Sequence, residues 1–176
     1  RHSGRLQALA EKPSSPEEGK MAVQQGQVPK TQRGDDVTED WRPEVPWRRL
    51  RELALEAMSL AYVPYSGYPV GAAALVDDGR LVSGCNVENA GYGVTLCAEC
   101  GLISELVRGG GGKLLAFVCV NADAETITPC GRCRQLLAEH ADPAMVLDLP
   151  GGLMPMAEAL PFAFGPGDLN AVERTA

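Results

Sequence analysis

The chain has 176 residues, 45% of them hydrophobic and 22% charged, with a formal net charge of −7. That length fits one domain with some chain to spare, and no run approaches the roughly 18 consecutive apolar residues of a membrane span. The negative charge argues against a surface built to hold long nucleic acid. Two histidines, His2 and His140, leave little supply for a histidine-built metal site or a serine–histidine hydrolase.

Residues 1–42 are rich in Glu, Lys, Gln, Pro and Ser and poor in large apolar groups. Such a segment cannot bury enough surface to offset its ordering entropy, so it is read as an extension, with the folded domain at 43–176. The start of the chain is polar rather than apolar, which predicts a cytoplasmic protein whose cysteines stay reduced. Leu50, Leu53, Ala54, Ala57, Met58 and Ala61 recur at helical spacing and predict an amphipathic helix of about five turns. It should end near Tyr62, because Pro64 disfavours helical geometry in the residue before it. Two apolar runs, 70–76 and 81–87, flank Asp77-Asp78-Gly79-Arg80 and predict a hairpin. In that reading the paired aspartates form a turn rather than a metal site.

A second helix is predicted over 98–108, stopped by the glycines at 109–112. Residues 114–120 form a continuous apolar run, as in a strand buried on both faces. A third helix over 131–140, with His140 as a surface or capping residue, a strand over 144–149 and a short helix over 156–160 complete the order. The alternation predicts a three-layer α/β/α sandwich with a mixed central sheet.

Six cysteines are the informative excess. Cys85 and Cys119 fall in apolar strands and read as small buried hydrophobes. Cys97 opens the second helix, and Cys130 and Cys133 open the third. A helix N-terminus presents free N–H groups and a partial positive charge that favour thiolates. Three thiolates from two such ends would hold Zn²⁺ and leave its fourth position to water, the arrangement of a catalytic zinc. Bound zinc brings the acidity of that water toward neutrality. Glu99, two residues after Cys97, is then placed to carry protons. Cys100 raises a competing reading, a closed structural site of four cysteines in two CxxC pairs. That reading gives Glu99 no purpose.

Cys97-Ala98-Glu99 with Pro129-Cys130-Gly131-Arg132-Cys133 resembles the signature of zinc nucleoside and nucleobase deaminases. Pro64-Tyr65-Ser66, the segments 68–73 and 84–90, Arg134-Gln135 and the segment 160–164 are similar to small homotetrameric cytidine deaminases. The likeness runs from about residue 47 to 170. It implies hydrolytic deamination of cytidine and deoxycytidine in pyrimidine salvage, with one zinc per subunit and attack at C4 of the ring. It implies that Asn86 and Glu88 hold the ribose hydroxyls, work suited to an amide and a carboxylate. Ala98 joins the substrate-binding set, Tyr68 lies beside the base, Phe164 stacks on it from a neighbouring subunit, and Tyr92 also reaches across subunits. The active site would then be complete only in a homotetramer. Where many members of the family carry an arginine that bonds the zinc thiolates, this chain has Cys100, and Arg132 is the candidate for the missing charge. Deamination of another cyclic nucleoside or base, or of polynucleotide cytosines, and a non-catalytic zinc module are the alternatives.

Overall fold

The computed structural model describes residues 44–170; the extension read over 1–42 lies outside them. Helix α1 spans Trp47–Met58 and buries Leu50, Ala54 and Ala57, one face at helical spacing. It stops sooner than its apolar pattern predicts. Leu60 is 78% exposed, while Tyr62 is drawn into pairing with the chain beyond the hairpin. Its N–H donates to the Asn86 carbonyl at 3.1 Å, and its carbonyl accepts from the Glu88 N–H at 2.8 Å.

Strands β1 (Gly71–Val76) and β2 (Leu81–Cys85) form the expected antiparallel hairpin. Gly79 takes the left-handed backbone of its turn, with φ of 88°. Val87, expected in the second strand, lies beyond it and bridges to both Tyr62 and Leu96. Helix α2 covers Ala98–Arg108 and β3 covers Leu114–Val120, both as predicted. Helix α3 covers Gly131–His140, and β4 runs over Ala141–Leu149, beginning earlier than its apolar run suggests. A four-residue strand, β5 (Gly152–Pro155), precedes α4 (Met156–Ala159) and α5 (Pro166–Asn170).

The sheet order is β2-β1-β3-β4-β5. Only β3 and β4 are parallel, and α3 is their crossover. Because β2 and β3 are each antiparallel to β1, they run the same way. The helices that follow them, α2 and α3, therefore begin at the same end of the sheet.

Side chains alternate across the pleat, dividing the core in two. On one face Leu50 and Ala54 of α1 pack with Ala73, Leu75, Ala116, Val118 and Val120. On the other, Leu102 and Leu106 of α2 and Leu137 of α3 pack with Ala72, Ala74, Phe117 and Leu147. Full burial of each leucine or phenylalanine contributes about 1.5–3 kcal/mol. The structure thus has the predicted three layers.

Small residues set the layer spacing. A Cβ at Gly71 would collide with the Ala54 carbonyl of α1, and one at Gly84 with the Ala98 carbonyl and Leu102 N–H of α2. Gly84 therefore fixes how closely the first turn of α2 lies on β2. Across the sheet, Arg51 clamps the buried Asp148 of β4 through Nε at 2.8 Å and Nη2 at 2.6 Å. The charge-assisted pair ties α1 to the centre of the fold.

Candidate active site

Cys97 and Cys130 occupy equivalent positions, each the residue before the first turn of its helix, with extended backbone at φ −69°, ψ 159° and φ −64°, ψ 167°. Cys133 follows in the first turn of α3 and is fully buried. The three sulfurs all lie within 4.8 Å of one another. Tetrahedral zinc with bonds of about 2.3 Å needs sulfurs roughly 3.8 Å apart, so small side-chain adjustments bring this trio to the ion. Cys100 lies outside this trio.

Burial pushes the Cys133 thiol well up, and the nearby Glu99 carboxylate adds to the effect. Burial also raises Cys97, helped by the charges of Cys130 and Glu99. Burial opposes ionisation at Cys130 as well, but the Cys133 backbone N–H and the Cys133 and Cys97 thiols stabilise its anion and bring it below the usual thiol value. Two sulfurs packed together thus resist ionisation until a cation joins them, as a divalent metal would.

Glu99, in the first turn of α2, is only 3% exposed, with its carboxyl group beside the Cys133 thiol. Val70, Asn86, Thr95, Leu96, Cys97, Ala98, Glu99, Ile127, Thr128 and Cys130 line one cavity of about 190 Å³. Arg132 reaches over from α3, its Nη2 at 3.6 Å from Cys97 Sγ, 3.4 Å from Cys100 Sγ and 3.4 Å from the Thr95 carbonyl. The neighbouring sulfurs, Cys100 foremost, hold its guanidinium above its ordinary value.

Residues 47–148 match the cytidine and deoxycytidylate deaminase zinc-binding region. The chain is 53% identical over 132 residues to a cytidine deaminase of Mycobacterium tuberculosis (strain ATCC 25618 / H37Rv), an alignment covering 75% of this chain and 99% of that one. The chain belongs to the cytidine and deoxycytidylate deaminase family. A cytidine deaminase of Halalkalibacterium halodurans is 40% identical over 122 residues, covering 66% of this chain and 92% of its own. Among solved structures, the cytidine deaminase from Mycobacterium tuberculosis superposes with a TM-score of 0.67 at 52% identity, covering 69% of this chain and 99% of that one. The one from Mycobacterium leprae gives 0.66 at 50%, covering 67% and 99%. Zinc is the cofactor of this deaminase family, and the three-thiol cluster is the group that fits it.

The remaining residues singled out in the sequence spread over a wider surface. Asn86 lines the cavity, but its amide also braces the loop above it: Oδ1 accepts from the Val70 N–H at 2.9 Å, and Nδ2 donates to the Tyr68 carbonyl at 3.0 Å. Glu88 lies in an adjoining groove of about 340 Å³ with Tyr65, Ser66, Asn89, Tyr92 and Thr95. Its Oε2 accepts from the Tyr65 N–H at 2.9 Å and the Ser66 N–H at 3.1 Å. Hydrogen bonds from the Ser66 hydroxyl first, then from these two N–H groups, hold the carboxyl below its usual range. Tyr92 sits in a single helical turn, Tyr92–Val94, its ring 6.3 Å from that of Tyr65 in an edge-on contact. Tyr68 and Phe164 line neither cavity and are 50% and 59% exposed. Gln135 ties the Phe164 carbonyl to α3 at 2.7 Å. Thr95, Ile127 and Thr128 were not foreseen as cavity walls; their signal was their position just before Cys97 and Cys130. Cys119 is buried as expected, whereas Cys85 is only half-buried.

Proposed function

We propose that this chain hydrolytically deaminates cytidine and deoxycytidine to uridine and deoxyuridine, with ammonia as the other product. The observation that carries this reading is a cluster of three thiols, two of which, Cys97 and Cys130, line one cavity together with the buried Glu99. Cys97, Cys130 and Cys133 would hold a zinc ion there, which would supply an activated water at neutral pH. Glu99 takes a proton from the attacking water and delivers it to the ring nitrogen next to C4. It then takes the hydroxyl proton left at C4 and delivers it to the amine, which departs as ammonia while the C4 carbonyl forms. Ala98, at the cavity wall, helps seat the pyrimidine. Glu88, at the groove, accepts a ribose hydroxyl, with Asn86 beside it.

The family description spans cytidine and deoxycytidylate. Neither the cavity nor the adjoining groove is lined by Lys or Arg, and the Glu88 carboxylate stands at the groove. These features favour the neutral nucleoside over its 5′-phosphate and over polynucleotides.

Arg132 compensates part of the negative charge of the thiolates, in the role that Cys100 does not fill. Arg132→Ala is expected to release zinc faster to a competing chelator, read by a chromogenic zinc dye; release at the wild-type rate would remove that role.

The cavity is smaller than the roughly 300–1,000 Å³ usual for small-molecule sites. Val87 bridges to both Tyr62 and Leu96, and Tyr62, Val87, Leu96 and Tyr92 are 56%, 42%, 48% and 78% exposed. Apolar surface of this kind favours burial against further copies of the chain. In a homotetramer, Phe164 and Tyr92 of neighbouring subunits would close the site over the base, with Tyr68 at its edge. We place the enzyme in pyrimidine salvage in the cytoplasm, where zinc thiolates stay reduced. No helix among the described residues is long and apolar enough to cross a membrane.

The test is loss of the cytidine ultraviolet absorbance with purified protein, before and after chelation. Turnover of cytidine and deoxycytidine, abolished by chelation and restored by zinc, is the expected result. Rates that change little with added salt would accompany it, since no phosphate track is engaged. No turnover by fully zinc-loaded protein on either nucleoside would sink the proposal.

A further inference from the structure

Cysteines stand in the same spacing at both helix starts, yet only three of the four gather at the metal cluster. Cys100 is the one left over. It is half-buried in the first turn of α2, with its N–H bonded to the Cys97 carbonyl at 3.0 Å. One guanidinium nitrogen of Arg132 spans the Cys97 and Cys100 sulfurs, at 3.6 and 3.4 Å. Helix geometry puts Cα atoms at i and i+3 about 5 Å apart, within the Cα range of roughly 4.4–6.8 Å across which a disulfide closes.

We infer that Cys97 and Cys100 form a peroxide-sensitive pair whose oxidation removes a metal ligand and releases zinc. The inference rests on Cys97 being a zinc ligand, as proposed above. Of the four cysteines at the two helix starts, Cys100 is the one outside the metal cluster, so its sulfur stays free to react with a small oxidant. Its sulfur attacks hydrogen peroxide: an S–O bond forms, the O–O bond breaks, and the thiol proton leaves with the departing oxygen as water. The Arg132 guanidinium stabilises the negative charge that develops on that oxygen. The sulfenic acid left on Cys100 is then attacked by the Cys97 thiolate. The S–S bond forms, the S–O bond breaks, and the oxygen leaves as a second water with a proton from solvent. Two electrons pass from the two sulfurs to the peroxide. Cys130 and Cys133 remain, too few to hold zinc firmly against solvent.

Zinc-loaded protein treated with hydrogen peroxide is expected to release zinc to a chromogenic chelator, in step with a Cys97–Cys100 disulfide seen by peptide mass mapping. Dithiothreitol with added zinc should reverse both. Cys100→Ser is expected to carry zinc normally before treatment and to release it several-fold more slowly, without reversible recovery. Release from Cys100→Ser at the wild-type rate, or a disulfide confined to Cys130–Cys133, would overturn the inference. Full zinc retention by untreated Cys97→Ser would instead overturn the ligand assignment beneath it.

Discussion

Glu99→Gln is expected to lower kcat for cytidine by about 10²–10⁴-fold, the usual contribution of a positioned acid–base group, while the protein keeps its full complement of zinc. Glutamine matches glutamate in size, so it fits a position that is 3% exposed inside the start of α2. Its amide fills the same space beside Cys133, which leaves the thiol cluster assembled. What it cannot do is accept a proton and return it. The loss should therefore appear in turnover and spare the metal, measured by ultraviolet assay alongside zinc analysis of the same sample. A variant within threefold of wild type, fully zinc-loaded, would remove Glu99 from the proton path. A variant that lost its zinc would show that Glu99 serves the metal cluster instead.

The second large effect comes from a residue with no side chain. At Gly84 an added methyl group would meet the Ala98 carbonyl and the Leu102 N–H of α2, both backbone atoms. Neither can rotate away, so Gly84→Ala must lift the first turn of α2 from β2. That turn carries Ala98 and Glu99 and follows directly on Cys97. Overpacking of this kind costs about 1–3 kcal/mol of stability. Because catalytic geometry tolerates only small misplacements, kcat/KM should fall by about 10²-fold or more.

Gly71→Ala provides the control. Its methyl group would strike α1 at Ala54 and Met58 on the opposite face of the sheet, among residues with no part in the site. It should lose comparable stability in urea denaturation yet retain near-normal kcat/KM per folded molecule. Equal losses of activity in the two variants would show that the approach of α2 to β2 does not set the site.

What could be read in the sequence was what local chemistry determines. Helices α2 and α3 fall where predicted because their start and stop signals are contained within them, including the glycines from Gly109 that end α2. Helix α1 is shorter than its apolar spacing implies because Tyr62 has a tertiary partner, the chain at 86–88, that spacing cannot reveal. Strand β4 begins before Pro143, at a point where its register against β3 shifts. A proline there removes a donor that the irregular pairing does not need. Strand β5 is four residues long and exposed throughout, so it carries no burial pattern to detect.

The metal cluster was legible for a similar reason. Residue type, spacing and helix starts together specified Cys97, Cys130 and Cys133 before any coordinates. The support under Glu88 was not, because it comes from the backbone N–H groups of Tyr65 and Ser66, which every residue but proline possesses. The amide of Asn86 suited a sugar hydroxyl by its chemistry, but only the fold reveals that it also pins Tyr68 and Val70.

The matching directions of β2 and β3 have a kinetic consequence. Cys97 and Cys130 sit at opposite ends of a stretch containing all of α2 and β3, and they meet only when both strands have docked on either side of β1. Firm zinc capture must therefore wait for the centre of the sheet to form. In a refolding experiment, the moment at which zinc becomes inaccessible to a dye would time that assembly directly, turning the cofactor into a clock for topology.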